Sequence, residues 1–289
     1  MKPAPFEYHA PETITEVVAL LAEHGDEIKP LAGGQSLVPM LALRLTRFEQ
    51  LVDLNRVDEL SGIRRENGTL TIGATTRQAT VQRSDLANSV PLLARAVPLI
   101  GHFQIRNRGT VGGSVAHADP AAELPAVALA LDAQMEIAAA AGRHTVPAAD
   151  FFVGTWTTSL EPDELLAAIQ FPIWDGRCGF AVDEIARRAG DFALVGVTTA
   201  VQLDDRGTIQ RAAVALFGVG GTPLRATAAE AALTGSAPSP DALHDAAQLA
   251  TRDLDPPDDV HASSTYRRSV GAHLVERSLT RALAEANHA

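Results

Sequence analysis

Apolar positions recur at helical spacing just after Pro11: Ile14, Val17, Val18 and Leu21 share one face. Thr13 and Glu16 stand before that face as a T-x-x-E capping box, and Gly25 follows it as a C-terminal stop, so a helix is expected between them. A short apolar run, Ile28 to Ala32, enters Gly33-Gly34-Gln35-Ser36. Leu37, Met40, Leu41 and Leu45 then resume helical spacing, and Leu51-Val52-Asp53-Leu54 reads as a further strand. Helix, strand, glycine turn, helix and strand in this order form a unit of the α/β kind.

The period then shortens to two. Residues 63–74 read as a hairpin around Asn67-Gly68, with Leu70 and Ile72 alternating on the far arm. Helical stretches near 76–87 and 89–99 follow. The segment 101–120 is rich in glycine and short polar residues and reads as irregular, whereas 121–131 consists of strong helix formers. Met135-Glu136-Ile137 and 143–146 suggest a second hairpin and 165–171 another strand, before Pro172-Ile173-Trp174-Asp175-Gly176 punctuates the chain. Strands are expected at 180–187, 194–203 and 208–217, with Asp204-Asp205-Arg206-Gly207 as the last turn. Three helices follow near 224–234, 240–252 and 263–285. Strands followed by helices indicate a separate α+β unit.

Composition narrows the chemistry. With 289 residues and 46% apolar content the chain can bury a large core. Twenty-four Lys+Arg against 35 Asp+Glu give a net charge of −11, which disfavours nucleic acid and anionic membranes as partners. The first residues lack a signal-peptide core and no apolar run reaches the length of a membrane span, so a cytoplasmic protein, with at most peripheral membrane contact, is expected. The single cysteine, Cys178, rules out an internal disulfide, a thiolate zinc site and a self-contained iron–sulfur cluster. Only Lys2 and Lys29 are lysines, and no Gly-Lys-Ser/Thr exists, which excludes a P-loop.

Two glycine pairs carry the candidate chemistry. Ala32-Gly33-Gly34-Gln35-Ser36 and Thr110-Val111-Gly112-Gly113-Ser114 each place residues without a Cβ beside small polar side chains, letting consecutive backbone amides converge on an anion. The first lies between a strand and a helix, where open α/β layers bind phosphate. Either pair alone could be a simple turn. Gly218-Val219-Gly220 lacks the third glycine of a dinucleotide fingerprint, and neither Gly-x-Ser continues to the second glycine of a nucleophile elbow. His117 and Asp119 have no third ligand nearby, so no metal site is expected. Asp119 could equally be a cap or a turn residue before Pro120, and Glu123 a favourable charge in the first turn of a helix.

Taken together, AGGQSLVPM (32–40) and RNRGTVGGSVAHADPAAELP (106–125) closely resemble the two FAD-binding segments of the medium, flavin-carrying subunit of molybdenum hydroxylases such as carbon monoxide dehydrogenase, a domain also found in xanthine dehydrogenase. The likeness extends to Pro5-Phe6-Glu7-Tyr8, 51–54, 164–172, Arg187 to Leu194 and Tyr266-Arg267-Arg268. It implies an α+β fold: a PCMH-type FAD-binding domain over 1–175, in two subdomains of about 1–55 and 56–175, then a domain over 176–289 with a small antiparallel sheet and a helix bundle. FAD would be held without a covalent bond, although His102 and His117 lie close enough in sequence to raise that alternative.

The resemblance also assigns residues. Leu31, Ala32, Gly33, Gly34, Gln35, Ser36 and Leu37 would hold the diphosphate, and Thr110, Val111, Gly112, Gly113 and Ser114 the rest of that group and the ribityl chain. Ile100, Ala118, Asp119, Glu123 and Leu166 would contact the cofactor further out, and Asp191 and Phe192 would lie against the isoalloxazine. Family members often carry tyrosine at the position of Phe192, which cannot donate a hydrogen bond and could instead be a core aromatic. No acid–base catalyst is expected in this chain. The implied partners are a large molybdenum-cofactor subunit and a small [2Fe-2S] subunit, as a dimer of heterotrimers. The rival readings are a free-standing FAD-dependent oxidoreductase and a non-redox nucleotide-binding assembly subunit.

Overall fold

The computed structural model describes residues 2–289. Its first unit is a small parallel sheet in which Gln50–Asp53 lies between Glu7–His9 and Ile28–Leu31. The helix Ile14–His24 covers it with Ile14, Val17, Val18 and Leu21. The Thr13 and Glu16 capping box forms as expected, and the Gly25 amide closes the far end on the Leu21 carbonyl. The helix after the glycine turn is shorter than the apolar spacing suggests. It stops at Ala42, because Arg44 turns to a left-handed conformation and leaves Leu43 and Leu45 exposed.

The second sheet has five strands, all antiparallel, in the order Ile63–Glu66, Thr69–Gly73, Leu165–Pro172, Gln134–Ala139 and Gly142–Pro147. One face packs on the helices Pro91–Ala96 and Glu123–Ala130. All eight residues of the latter helix are buried, so it has no polar face to show helical periodicity. The segment 101–120, read as irregular from its glycines, contains two helices, Phe103–Arg108 and Val111–His117. The second begins where the Thr110 hydroxyl accepts the Gly113 amide at 3.0 Å, a cap that offsets the poor helix propensity of two glycines.

The third sheet, Arg177–Ile185, Val195–Leu203, Ile209–Phe217 and the short Leu224–Arg225, is antiparallel throughout. One face holds the helices Thr227–Leu233, Pro240–Thr251 and Ser264–Ala286 through a core including Val197, Val201, Leu274 and Leu279. The other face carries Cys178, Phe180, Val182, Ala200, Ala213 and Ala215 into the core of the five-stranded sheet. The two halves therefore share one hydrophobic interior. Arg95 joins them at the surface, pairing with both carboxylate oxygens of Glu285 at 2.7 and 2.6 Å.

Candidate functional site

The loop 32–36 leaves the edge of the parallel sheet and meets the segment 108–113 face to face. A Cβ on Gly33 would strike the Arg108 carbonyl, and one on Gly113 would lie 2.6 Å from Thr110 Oγ1 and 3.3 Å from the Ala32 methyl. Gly34 takes φ +72°, a left-handed turn that side chains disfavour. Gly112 in turn rests against Ala74 of the second unit. The glycines thus let two backbone loops touch.

The two motifs then divide their work. The amides of Gly33, Gly34, Gln35 and Ser36 donate to no described protein group, while the Gly33, Gly34 and Ser36 carbonyls are already engaged, by Gln35 Nε2, the Val38 amide and the Met40 amide. This is an open cradle of donors at a strand-to-helix turn, suited to a phosphate. At the second pair the expectation of converging free amides is not met. The Val111, Gly112, Gly113 and Ser114 amides donate to Thr76 O, Ala74 O, Thr110 Oγ1 and Thr110 O. A helix start anchored to the turn that follows the strand Thr69–Gly73 uses those donors, so this motif contributes close packing and the hydroxyl of Ser114.

Both loops open into a cleft of about 680 Å³, a volume suited to a cofactor-sized ligand. Ala32 to Leu37, Ile100, Thr110, Gly112 to Ser114, Asp119, Glu123, Leu166, Asp191 and Phe192 line it. Leu31, Val111 and Ala118 stand behind the wall. Phe192 is 62% exposed at the rim, so it is not a core aromatic. Asp119 serves its turn: Oδ1 accepts the Ala121 amide at 2.9 Å and Oδ2 the Trp156 indole at 3.2 Å. His117 lies parallel to Trp156 with ring centroids 6.2 Å apart, and burial holds its imidazole below the usual histidine range. Burial pushes Glu123 up to about 8, with Glu184 and Asp119 adding to the effect, so its carboxyl is largely protonated at neutral pH.

Several residues of this site were missed from the sequence. Arg77 bonds both the Arg108 carbonyl and Asn55 Oδ1, while Asn55 Nδ2 reaches the Ala32 carbonyl at 3.1 Å. This pair ties the first glycine loop to the second. Gln78 is buried with Oε1 lacking any protein partner on the cleft wall. Trp156, in a left-handed conformation, holds the Ala118 carbonyl through its own amide at 3.1 Å. Nothing in their local sequence marks these residues, because their partners are far along the chain. No cluster of three or more His, Cys, Asp or Glu able to hold a metal occurs among the described residues.

An open amide cradle, a tight seam between two glycine loops and a long cleft walled by the parallel sheet, the five-stranded sheet and the 190–192 loop mark a site for a phosphate-bearing nucleotide cofactor. Residues 4–174 match the family model "FAD binding domain in molybdopterin dehydrogenase", and residues 180–282 match "CO dehydrogenase flavoprotein C-terminal domain". The chain belongs to this family of FAD-binding molybdopterin dehydrogenase proteins. It is 42% identical to the 6-hydroxypseudooxynicotine dehydrogenase complex subunit alpha of Paenarthrobacter nicotinovorans, over 98% of this chain and 96% of that protein. It is 38% identical to the carbon monoxide dehydrogenase medium chain of Hydrogenophaga pseudoflava, over 98% and 99%. A solved structure of carbon monoxide dehydrogenase from the same organism superposes with a TM-score of 0.96 at 41% identity, covering 99% of both chains.

The cofactor of this family is FAD, and the cleft fits it in two respects. The unfilled donors of 33–36 suit a diphosphate, and the glycine seam leaves no Cβ to obstruct it.

Proposed function

We propose that the chain is the FAD-carrying subunit of a heteromeric molybdenum hydroxylase, assembled with a large molybdenum-cofactor subunit and a small [2Fe-2S] subunit as a dimer of heterotrimers. The observation that carries this reading is the cradle of free amides at 33–36, held against the second glycine loop. Relatives named as a medium chain and as a subunit of a dehydrogenase complex support the assembly.

Bound FAD supplies a carrier that takes electrons singly or in pairs and passes them to an external acceptor. The chain's own part is to bind and orient it. On this reading Leu31 to Leu37 hold the diphosphate, Thr110 to Ser114 the adjoining ribityl region, and Ile100, Ala118, Asp119, Glu123 and Leu166 the outer contacts. Asp191 and Phe192 approach the ring from the rim. The flavin-binding domain takes in 1–175 and the second domain 176–289. The same reading puts the assembly in the cytoplasm, where a lone reduced cysteine is ordinary.

Co-expression with neighbouring genes and affinity capture of this chain tests the assembly. The expected complex contains flavin, iron and molybdenum, and reduces an acceptor only when all three subunits are present. A flavin-containing chain that purifies alone and oxidises a substrate by itself would sink the proposal.

A further inference from the structure

The row of side chains that the strand Arg177–Ile185 sends into the shared core, Cys178, Phe180 and Val182, ends two residues later in a carboxyl, Glu184. Glu184 Oε2 is buried with no hydrogen-bond partner among the described residues, and the residue lines a second cavity, of about 570 Å³, together with Leu99, His102 and Arg106. That cavity and the FAD cleft share Gly101 and Gly190 as wall. The wall is thin, since a Cβ on Gly190 would lie 2.8 Å from the His102 ring. Glu123 stands on the cleft side, 6% exposed. Packing draws the two carboxyls together. Glu184 pairs across the sheet with Gly196, whose bare Cα carries the Phe217 ring, and Phe217 packs on Ala126, one turn after Glu123 in its helix. The charged groups of the neighbouring elements are engaged elsewhere. Arg106 donates to the Ile100 and Gly101 carbonyls at 2.9 and 2.8 Å, Arg187 faces Asp191 at 3.5 Å, Arg95 is bound to Glu285, and Asp119 holds its turn. His102 is the other titratable side chain on the wall of the second cavity among the described residues. Neither glutamate has a cation to hold its charge, and burial pushes Glu184 up to about 7 and Glu123 to about 8.

From this placement we infer that Glu184, coupled to Glu123, takes up a proton through the second cavity when electrons are loaded on the cofactor, and returns it when they leave. The inference rests on the FAD reading of the site. Electrons arriving from an iron–sulfur partner add negative charge to a cleft already walled by Asp26, Asp119, Glu123, Glu161, Glu164 and Asp191. A buried carboxylate beside that cleft, with no cation of its own, then gains proton affinity. A proton from solvent in the second cavity forms an O–H bond on the Glu184 carboxylate, and no bond to the cofactor is made or broken. The step reverses when an external acceptor removes the electrons. Because the two carboxyls interact, they titrate as a pair and share that proton.

The test reduces the flavin-loaded full-length protein electrochemically, with its partner subunits where they co-purify, in weakly buffered solution while an indicator dye counts protons. A group titrating near 7 is about half-ionised at pH 7, so Glu184→Gln is expected to take up about half a proton less per flavin than wild type. The flavin midpoint potential of that variant should also vary less steeply with pH between about 6 and 8. Glu184→Asp keeps a carboxyl and should restore most of both. In the apoprotein, infrared titration should show a carboxyl protonating near pH 7 that Glu184→Gln lacks, a reading that needs no bound flavin. Unchanged uptake and slope in Glu184→Gln would overturn the inference, as would a loss that Glu184→Asp shares in full, or apoprotein infrared titrations identical in wild type and Glu184→Gln. Failure of the wild-type protein itself to bind FAD would instead overturn the underlying reading.

Discussion

At Gly33 a single hydrogen in place of a methyl decides whether two loops can meet. Because the Cβ direction points at the Arg108 carbonyl and the Gly109 Cα, Gly33→Ala is expected to part the loops even without adding charge. Flavin absorbance per mole of purified protein should fall well below that of wild type, and a variant with full flavin content would contradict the seam described above. Glu123 makes a different prediction. Burial raises its folded-state pKa to about 8, so between about 4 and 8 the folded chain holds a proton that the unfolded chain has released. The unfolded state then binds fewer protons, and stability falls as pH rises through that window, by up to roughly 1.4 kcal/mol per pH unit. In the apoprotein Glu123→Gln should melt near wild type at pH 5 and above it at pH 8. Glu184, pushed to about 7 by burial, leaves a residual slope of the same sign in both proteins. The opposite order at pH 8 would show that Glu123 is ionised in the folded chain.

Between elements, the clamp of Arg77 and Asn55 does what neither glycine motif can do alone. Arg77→Ala should loosen the 108–113 segment from the 32–36 loop, lowering FAD affinity by roughly tenfold, the scale of one charge-assisted hydrogen bond, while the thermal transition moves little. Equilibrium titration and calorimetry on the same variant separate the two effects. The elements themselves were legible where local chemistry determines them: the capping box at Thr13 and Glu16, the Asn67-Gly68 hairpin and the long C-terminal helix all stand near their expected places. They were less legible at 101–120, where two glycines conceal a helix whose start depends on the Thr110 hydroxyl and on Ala74 in the turn after a distant strand. The glycine pairs could be picked out by sight, but their division into an amide cradle and a packing seam depends on which carbonyls take the amides. That is a tertiary fact with no trace in spacing.

On the scale of the whole molecule, the sheet of the second half lends one face to the interior of the first. The strand Arg177–Ile185 does this directly after the chain leaves the five-stranded sheet at Pro172, so the punctuation at 172–176 marks a change of sheet within a continuous core. Cys178 sits at that seam. It is 7% exposed, its thiol donates to the Asp175 carbonyl at 3.2 Å, and burial pushes it up to about 11. A thiol in that state is a poor nucleophile, and as the chain's one cysteine it has no competitor. Alkylation of this chain is therefore expected to follow the rate at which the seam opens, read by mass spectrometry as a single added label, and rapid labelling of the native chain would contradict the shared core. The residue that rules out clusters and disulfides thus becomes a clock built into the fold, timing the breathing between its two halves.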